Sequence, residues 1–293
     1  MSRSIEKLAD RINTVTLLEE AYPVLLRQIN DPPKILYYIG DISLASQICV
    51  SAVGSRKATP YGKWAAFSIG EKLGQNGVVS VSGMAQGIDS FVHKGSLKAR
   101  GRTIAVLGNG PDICFPSGNI DLMRRIADEG LILSEYAPGV RPTKFTFPLR
   151  NRIISGLSAA TIVVEAGLHS GSLITAERAS EQGREVYAIP GNINNINAIG
   201  GNKLIKDGAS PLIVLDDILD DMGLERKAGT RLNVELGKDE SIVLELIKSG
   251  GEVTCDEICR ALSRHPGEVS GIVTVLEMKG CVYSALGKIF VAK

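Results

Sequence analysis

Residues 78–89 read Val78-Val79-Ser80-Val81-Ser82-Gly83-Met84-Ala85-Gln86-Gly87-Ile88-Asp89. A short valine-rich run ends in a Gly/Ser turn and passes into a helical pattern. An apolar run that does not alternate with polar residues predicts a strand covered on both faces. The theme recurs outward in both directions, at 48–53, 103–107, 131–133, 161–164, 186–189 and 212–214. Between these runs the apolar spacing is helical, with Trp64, Phe67, Ile69 and Leu73 in one segment and Leu173, Ile174, Arg178 and Gln182 in another. Strands alternating with helices predict an α/β fold, a doubly wound and mostly parallel sheet over residues 45–218.

The flanks read differently. Residues 1–44 begin with a helical stretch at 5–20 and continue through an extended Tyr22-Pro23 and Asp31-Pro32-Pro33 passage. Residues 219–238 are polar without a period and read as a linker. Residues 239–293 predict three helices closed by a small hairpin, a winged-helix pattern. The length of 293 residues agrees with about two domains.

Composition excludes several classes. Thirty-three Lys plus Arg against 32 Asp plus Glu leave a net charge of +1, so overall charge names no partner. No apolar run approaches the roughly 18 residues that a membrane helix needs. The first residues are mixed in charge without an apolar core, which points to the cytoplasm. Five scattered cysteines include no CxxC pair; Cys255 and Cys259 stand one helical turn apart, and burial as small hydrophobes is the favoured reading. No metal or cofactor is expected.

Ligands of an open α/β sheet bind beyond the carboxyl ends of its strands, so the turns carry the chemistry. They read Gly54-Ser55-Arg56-Lys57, Ser82 to Asp89, Gly108-Asn109-Gly110, His169-Ser170-Gly171-Ser172 and Pro190-Gly191-Asn192. Small residues there let backbone N–H groups and helix N-termini approach an anion. Neither a Walker A run nor G-x-G-x-x-G is present, which disfavours P-loop and dinucleotide chemistry. No G-x-S-x-G elbow surrounds Ser170 or Ser172, and helix capping is the favoured role there. His93 reads as a packed or hydrogen-bonded helical residue. Asp89, Glu135 and Glu165 lie near strand ends, where loop-holding is favoured over catalysis.

The most informative stretch runs from Arg141 to Arg152, RPTKFTFPLRNR, with four cations, no acid and two phenylalanines in a chain of only 5% aromatics. Cations neutralise phosphates, and aromatic faces stack on unpaired bases at about 1–3 kcal/mol per base. Single-stranded nucleic acid is the expected ligand of this basic loop. Phe145 is equally compatible with anchoring the loop to the core.

These residues resemble the DNA-processing protein A (DprA/Smf) family. The resemblance rests on Val53-Gly54-Ser55-Arg56, on the run from Val81 to Asp89, on Phe147 to Ser158 with its RNRII, and on SGSLITA from Ser170 to Ala176. Further matches are Ile189-Pro190-Gly191 and Gly201-Asn202-Lys203. The resemblance implies an extended Rossmann-like fold that binds single-stranded DNA, protects it, and helps load the RecA recombinase during natural transformation, with dimerisation through the Rossmann domain. By motif position Arg56, Lys144 and Phe147 are the implied DNA contacts, and Asn151, Arg152, Ser170, Gly171, Ser172 and Lys203 further members of the pocket. Two departures stand out. Only 21 residues precede Tyr22, so the helical N-terminal module of many members is expected to be truncated, and Gln86 stands where members often have Arg.

The C-terminal segment carries eight acids and six bases, and its third predicted helix offers only Lys279. A duplex reader presents a basic recognition face, so a protein-contact or weak accessory role is expected. The overall expectation is a binding protein and no enzyme. The rival is a Rossmann-like nucleotide-processing enzyme with Glu165 and Glu177 as candidate acids.

Overall fold

The computed structural model describes residues 8–224, 236–250, 252–279, 281–285 and 288–291. The chain divides into two compact units, residues 1–227 and 228–293.

In the first unit, β1 (Asn13–Thr16) and β2 (Ile35–Gly40) precede β3 (Cys49–Val53), β4 (Val79–Ser82), β5 (Thr103–Leu107), β6 (Leu131–Ser134), β7 (Ala160–Val163), β8 (Glu185–Ala188) and β9 (Ser210–Pro211). Together they form a nine-stranded sheet in the order β1-β2-β6-β5-β4-β3-β7-β8-β9. The stretch from β6 to β9 is parallel, while β2 pairs antiparallel with β6 and β1 antiparallel with β2. The helices are α1 (Val24–Arg27), α2 (Pro60–Gln75), α3 (Ile88–Lys98), α4 (Ile120–Glu129), α5 (Thr146–Gly156), α6 (Gly171–Glu181), α7 (Ile199–Lys206) and α8 (Asp217–Asp221).

The continuous apolar runs do cover both faces. In β3, Cys49 and Val53 join a core containing Ile153, Ile154 and Ala176, whereas Val50 and Ala52 join one containing Ala65, Ala66 and Ile69. Helices α2 and α3 touch backbone to backbone, because a Cβ at Gly70 would collide with the Val92 carbonyl and one at Gly95 with the Phe67 carbonyl.

Three expectations are corrected. Residues 13–16 of the expected helical stretch are a strand: Thr14, Val15 and Thr16 are β-branched, and Val15 is buried beneath the sheet's edge. The last strand lies at Ser210–Pro211 instead of 212–214. Leu212 still donates its N–H to Ala188 O at 2.9 Å, and Ile213 and Val214 are exposed. Leu219, placed first in the linker, is fully buried against the sheet within α8. Residues 225–235 of that stretch lie outside the described residues.

The second unit holds α9 (Lys238–Gly250), α10 (Cys255–Leu262) and α11 (Pro266–Met278), with the hairpin β11 (Val282–Ala285) and β12 (Lys288–Val291). A short β10 (Glu252–Val253) adds a third strand against β12. The unit has its own core, including Val243, Ile247, Ile258, Val269, Leu276 and Ile289. Thr254 opens α10 with a capping box, accepting from Glu257 N while the Glu257 carboxylate accepts from Thr254 N. Cys255 and Cys259 pack against this core, and all five cysteines are free thiols.

Candidate nucleic-acid interface

Strand order reverses between β3 and β7, and a crevice opens above that switch point. Its volume is about 1040 Å³. The turns on either side are tied together: Ser55 N donates to Glu165 O at 2.8 Å, and Ile88 N donates to Ser55 O at 3.2 Å. Thr59 caps α2 by accepting from Gly62 N at 3.0 Å and donates a hydrogen bond from its hydroxyl to the Glu165 carboxylate, which also accepts from Thr59 N at 2.9 Å. Glu165 therefore holds loops, as does Asp89, which accepts from Gly83 N at 3.1 Å and Ala85 N at 3.4 Å. Glu135 holds Arg152. Glu177 is exposed and lines a different cavity, so the two acids of the enzymatic rival do not meet in this crevice.

Four cations line the crevice: Arg56, Lys57, Lys144 and Arg150. Arg56, Lys57 and Lys144 are exposed, whereas Arg150 is 4% exposed. Its guanidinium donates to Val106 O and packs against Gly83, where any Cβ would collide with it. Burial pushes Arg150 down to about 10, opposed by the Asp89 carboxylate and assisted by the like charge of Arg56. Arg150 stays cationic at neutral pH. Burial raises Asp89, against the pull of Arg150 and the two N–H groups.

The aromatic floor is built on α5. Phe147 is half-buried over Gly108, where a Cβ would stand 2.9 Å from the ring. The Arg56 guanidinium lies 5.2 Å from the Phe147 centroid, and Phe115 lies 5.5 Å from it with a 31° tilt between rings. Phe115 is 44% exposed and also lines the crevice. Phe145 does not anchor to the core: it is 69% exposed, with Lys144 Nζ 5.1 Å from its ring.

The far wall is the N-terminus of α6. Ser170 caps it by accepting from Ser172 N, the two hydroxyls lie 2.8 Å apart, and Asn151 Nδ2 donates to Gly171 O at 3.2 Å. A helix N-terminus opening into a cationic crevice favours an anion there.

Of the expected residues, Arg56, Lys144, Phe147, Asn151, Ser170, Gly171 and Ser172 line this one crevice. Arg152 does not. Its guanidinium forks onto Glu135 at 3.0 and 2.6 Å and reaches Asp31 at 3.2 Å. Lys203 lies one turn past Ile199 on α7 and lines a neighbouring cavity of about 760 Å³ that shares Leu168, His169, Ser170 and Ile174 with the crevice. Sequence reasoning missed Arg150 and Phe115 as members of the site. The signal for Arg150 was present, because residues 147, 150, 151 and 154 share one face of a helix, with Arg152 about 140° away. Among the described residues no three His, Cys, Asp or Glu side chains gather as metal ligands, and no helix is long and apolar enough to cross a membrane.

Comparison with known proteins agrees with both units. Residues 13–223 match the family model of DNA recombination-mediator protein A, and residues 228–288 match that of the DprA winged helix domain. DNA processing protein DprA of Bacillus subtilis is 43% identical over 212 residues, which is 72% of this chain and 71% of that protein. Protein Smf of Escherichia coli is 37% identical over 277 residues, 92% of this chain and 74% of that protein. The X-ray structure of DprA from Streptococcus pneumoniae superposes with a TM-score of 0.70 at 42% identity, covering 74% of this chain and 76% of that one. A structure of DNA processing protein A from Helicobacter pylori, described for its single-stranded DNA binding mode, gives 0.66 at 31% identity, covering 72% and 95%. A Rossmann-like sheet with a cationic, aromatic-floored switch point, joined to a winged helix and matched across both units, places this chain in the DNA recombination-mediator protein A (DprA/Smf) family.

Proposed function

We propose that the chain binds single-stranded DNA in the switch-point crevice and acts there without turnover, protecting the strand and passing it to a RecA-type recombinase in the cytoplasm. The observation that carries this reading is the convergence of Arg56, Lys57, Lys144 and Arg150 on one crevice beside the rings of Phe115 and Phe147. Backbone phosphates meet Arg56, Lys144 and the α6 N-terminus, where Ser170, Gly171, Ser172 and Asn151 stand. Bases meet the aromatic floor. Because Arg56 already covers Phe147, a base reaching that ring displaces the guanidinium toward phosphate, and the more exposed Phe115 offers a second platform. Dimerisation through the first unit completes the proposal, supported by the exposed Ile213 and Val214 beside the edge strand β9. Lys203 belongs to it as a contact for a strand that runs on into the neighbouring cavity.

Binding dominated by phosphate contacts weakens linearly in log affinity with log salt. Arg56→Ala and Lys144→Ala are each expected to lower affinity for an oligothymidylate and to reduce the salt slope by about one. Fluorescence anisotropy at several salt concentrations reads both quantities. Parent-like affinity and slope in both variants would overturn the assignment.

A further inference from the structure

Outside the crevice, the first turns of α2 carry an exposed aromatic pair. Tyr61 is 52% and Trp64 60% exposed, with ring centroids 5.8 Å apart. Side by side, the two rings present an apolar face that gains from being covered. Exposed cations stand on the same two helices, while the carboxylate set against the first turn of α2, that of Glu165, is buried and held by Thr59. Lys63 Nζ lies 5.9 Å and Lys94 Nζ 4.9 Å from the Phe91 ring, which bridges α2 and α3, and Lys98 is exposed one turn beyond Lys94. The acid of α3, Asp89, is buried under the Gly83 turn, and the first acid of α2, Glu71, lies about 10 Å further along the helix than Trp64. None of Lys57, Lys63, Lys94 and Lys98 forms an ion pair among the described residues. Along the chain the patch follows directly on the crevice: Lys57 lines the crevice, Thr59 caps α2, and Tyr61 sits in its first turn.

We propose that the outer face of α2 and α3 is an exit track for the same single strand, on which Tyr61 and Trp64 stack bases and Lys63, Lys94 and Lys98 neutralise phosphates after the strand leaves the crevice past Lys57. The proposal rests on the crevice being the primary single-strand site. Its chemistry is sequence-tolerant, since every base has a face to stack. It makes affinity depend on strand length beyond what the crevice itself holds.

Trp64 is the chain's single tryptophan, so its emission reports this patch alone. The parent protein is titrated with oligothymidylates of about six and about thirty nucleotides, lengths below and beyond a single compact site, with anisotropy of labelled strands recording binding. The long strand is expected to quench Trp64 emission and the short one to bind without quenching it. A Tyr61→Ala/Trp64→Ala variant is expected to lose about tenfold in affinity for the long strand and nothing for the short, and Trp64→Phe to retain long-strand affinity. Long-strand binding that leaves Trp64 emission unchanged, or equal losses at both lengths in the double variant, overturns the track while leaving the crevice in place. Failure of the parent to bind either length overturns both.

Discussion

Arg150 joins the fold to the ligand site through one side chain. It is 4% exposed, donates to Val106 O at the end of β5, rests on Gly83 at the end of β4 and faces the buried Asp89 carboxylate. Replacing it with a neutral side chain of similar length strands a buried carboxylate and a buried carbonyl, each of which costs free energy without its partner. Arg150→Met is therefore expected to destabilise the first unit by about 2–5 kcal/mol, read as a lower denaturation midpoint. His93 makes a second residue-scale prediction. It is fully buried, and its Nδ1 lies 2.7 Å from the Thr103 hydroxyl. Burial, assisted by the positive charge of Arg150, pushes it down to about 3 from 6.5. Between those values the unfolded chain takes up a proton that the folded chain refuses, so stability is full above pH 6.5 and falls as pH drops toward 3. At pH 5 the loss amounts to about 2 kcal/mol. The pH dependence of stability in the parent minus that in His93→Asn isolates it, because the opposing contribution of Asp89 cancels in the difference. A flat difference between pH 7 and 5 would contradict the assignment.

At the scale of elements, what was legible followed from period. Runs such as 48–53 and 103–107 are apolar except at the fully buried Ser51 and Thr103, because helices cover both faces of the sheet, so those strands could be read directly. The turns between them pointed to the switch point because Gly54, Ser55 and Ser170 sit where strands end. The stretch from Arg141 to Arg152 was harder. Its composition points to the proposed ligand class, and it was read as a basic loop, whereas residues 146–156 are helical and Pro148 stands in the first turn of α5, where a missing N–H costs nothing. Once residues 146–156 are helical, Arg150 turns inward and Arg152 outward to Glu135, a division that composition cannot express. Phe115 was illegible for a different reason. It approaches Phe147 from the segment between β5 and α4, 32 positions earlier in the chain, and no local pattern encodes that meeting. The strand at 13–16 was lost because Asn13 to Thr16 is short and its partner, β2, begins at Ile35.

At the scale of the molecule, each unit buries its own apolar residues, and the crevice is built wholly from the first. Two cations of the second unit are engaged with carboxylates: Arg264 is paired with Asp239, and Lys279, at the end of the third helix, donates to Glu240 at 2.6 Å. Cations already engaged with carboxylates offer little to phosphate without giving up those partners. If the units are independent in energetics as well as in packing, damage to one core leaves the other's ligand site intact. Leu276 is fully buried at the centre of the second core, against α9, α10 and the hairpin. Leu276→Ala removes that side chain and leaves a cavity, a change expected to cost the second unit about 2–5 kcal/mol. In the full chain this is expected to lower or split the thermal transition while the affinity for a short oligothymidylate, measured below the first transition, stays within about twofold of the parent. A large loss of short-strand affinity in that variant would mean that the second unit contributes to holding the strand, and the crevice would then be only part of the binding surface.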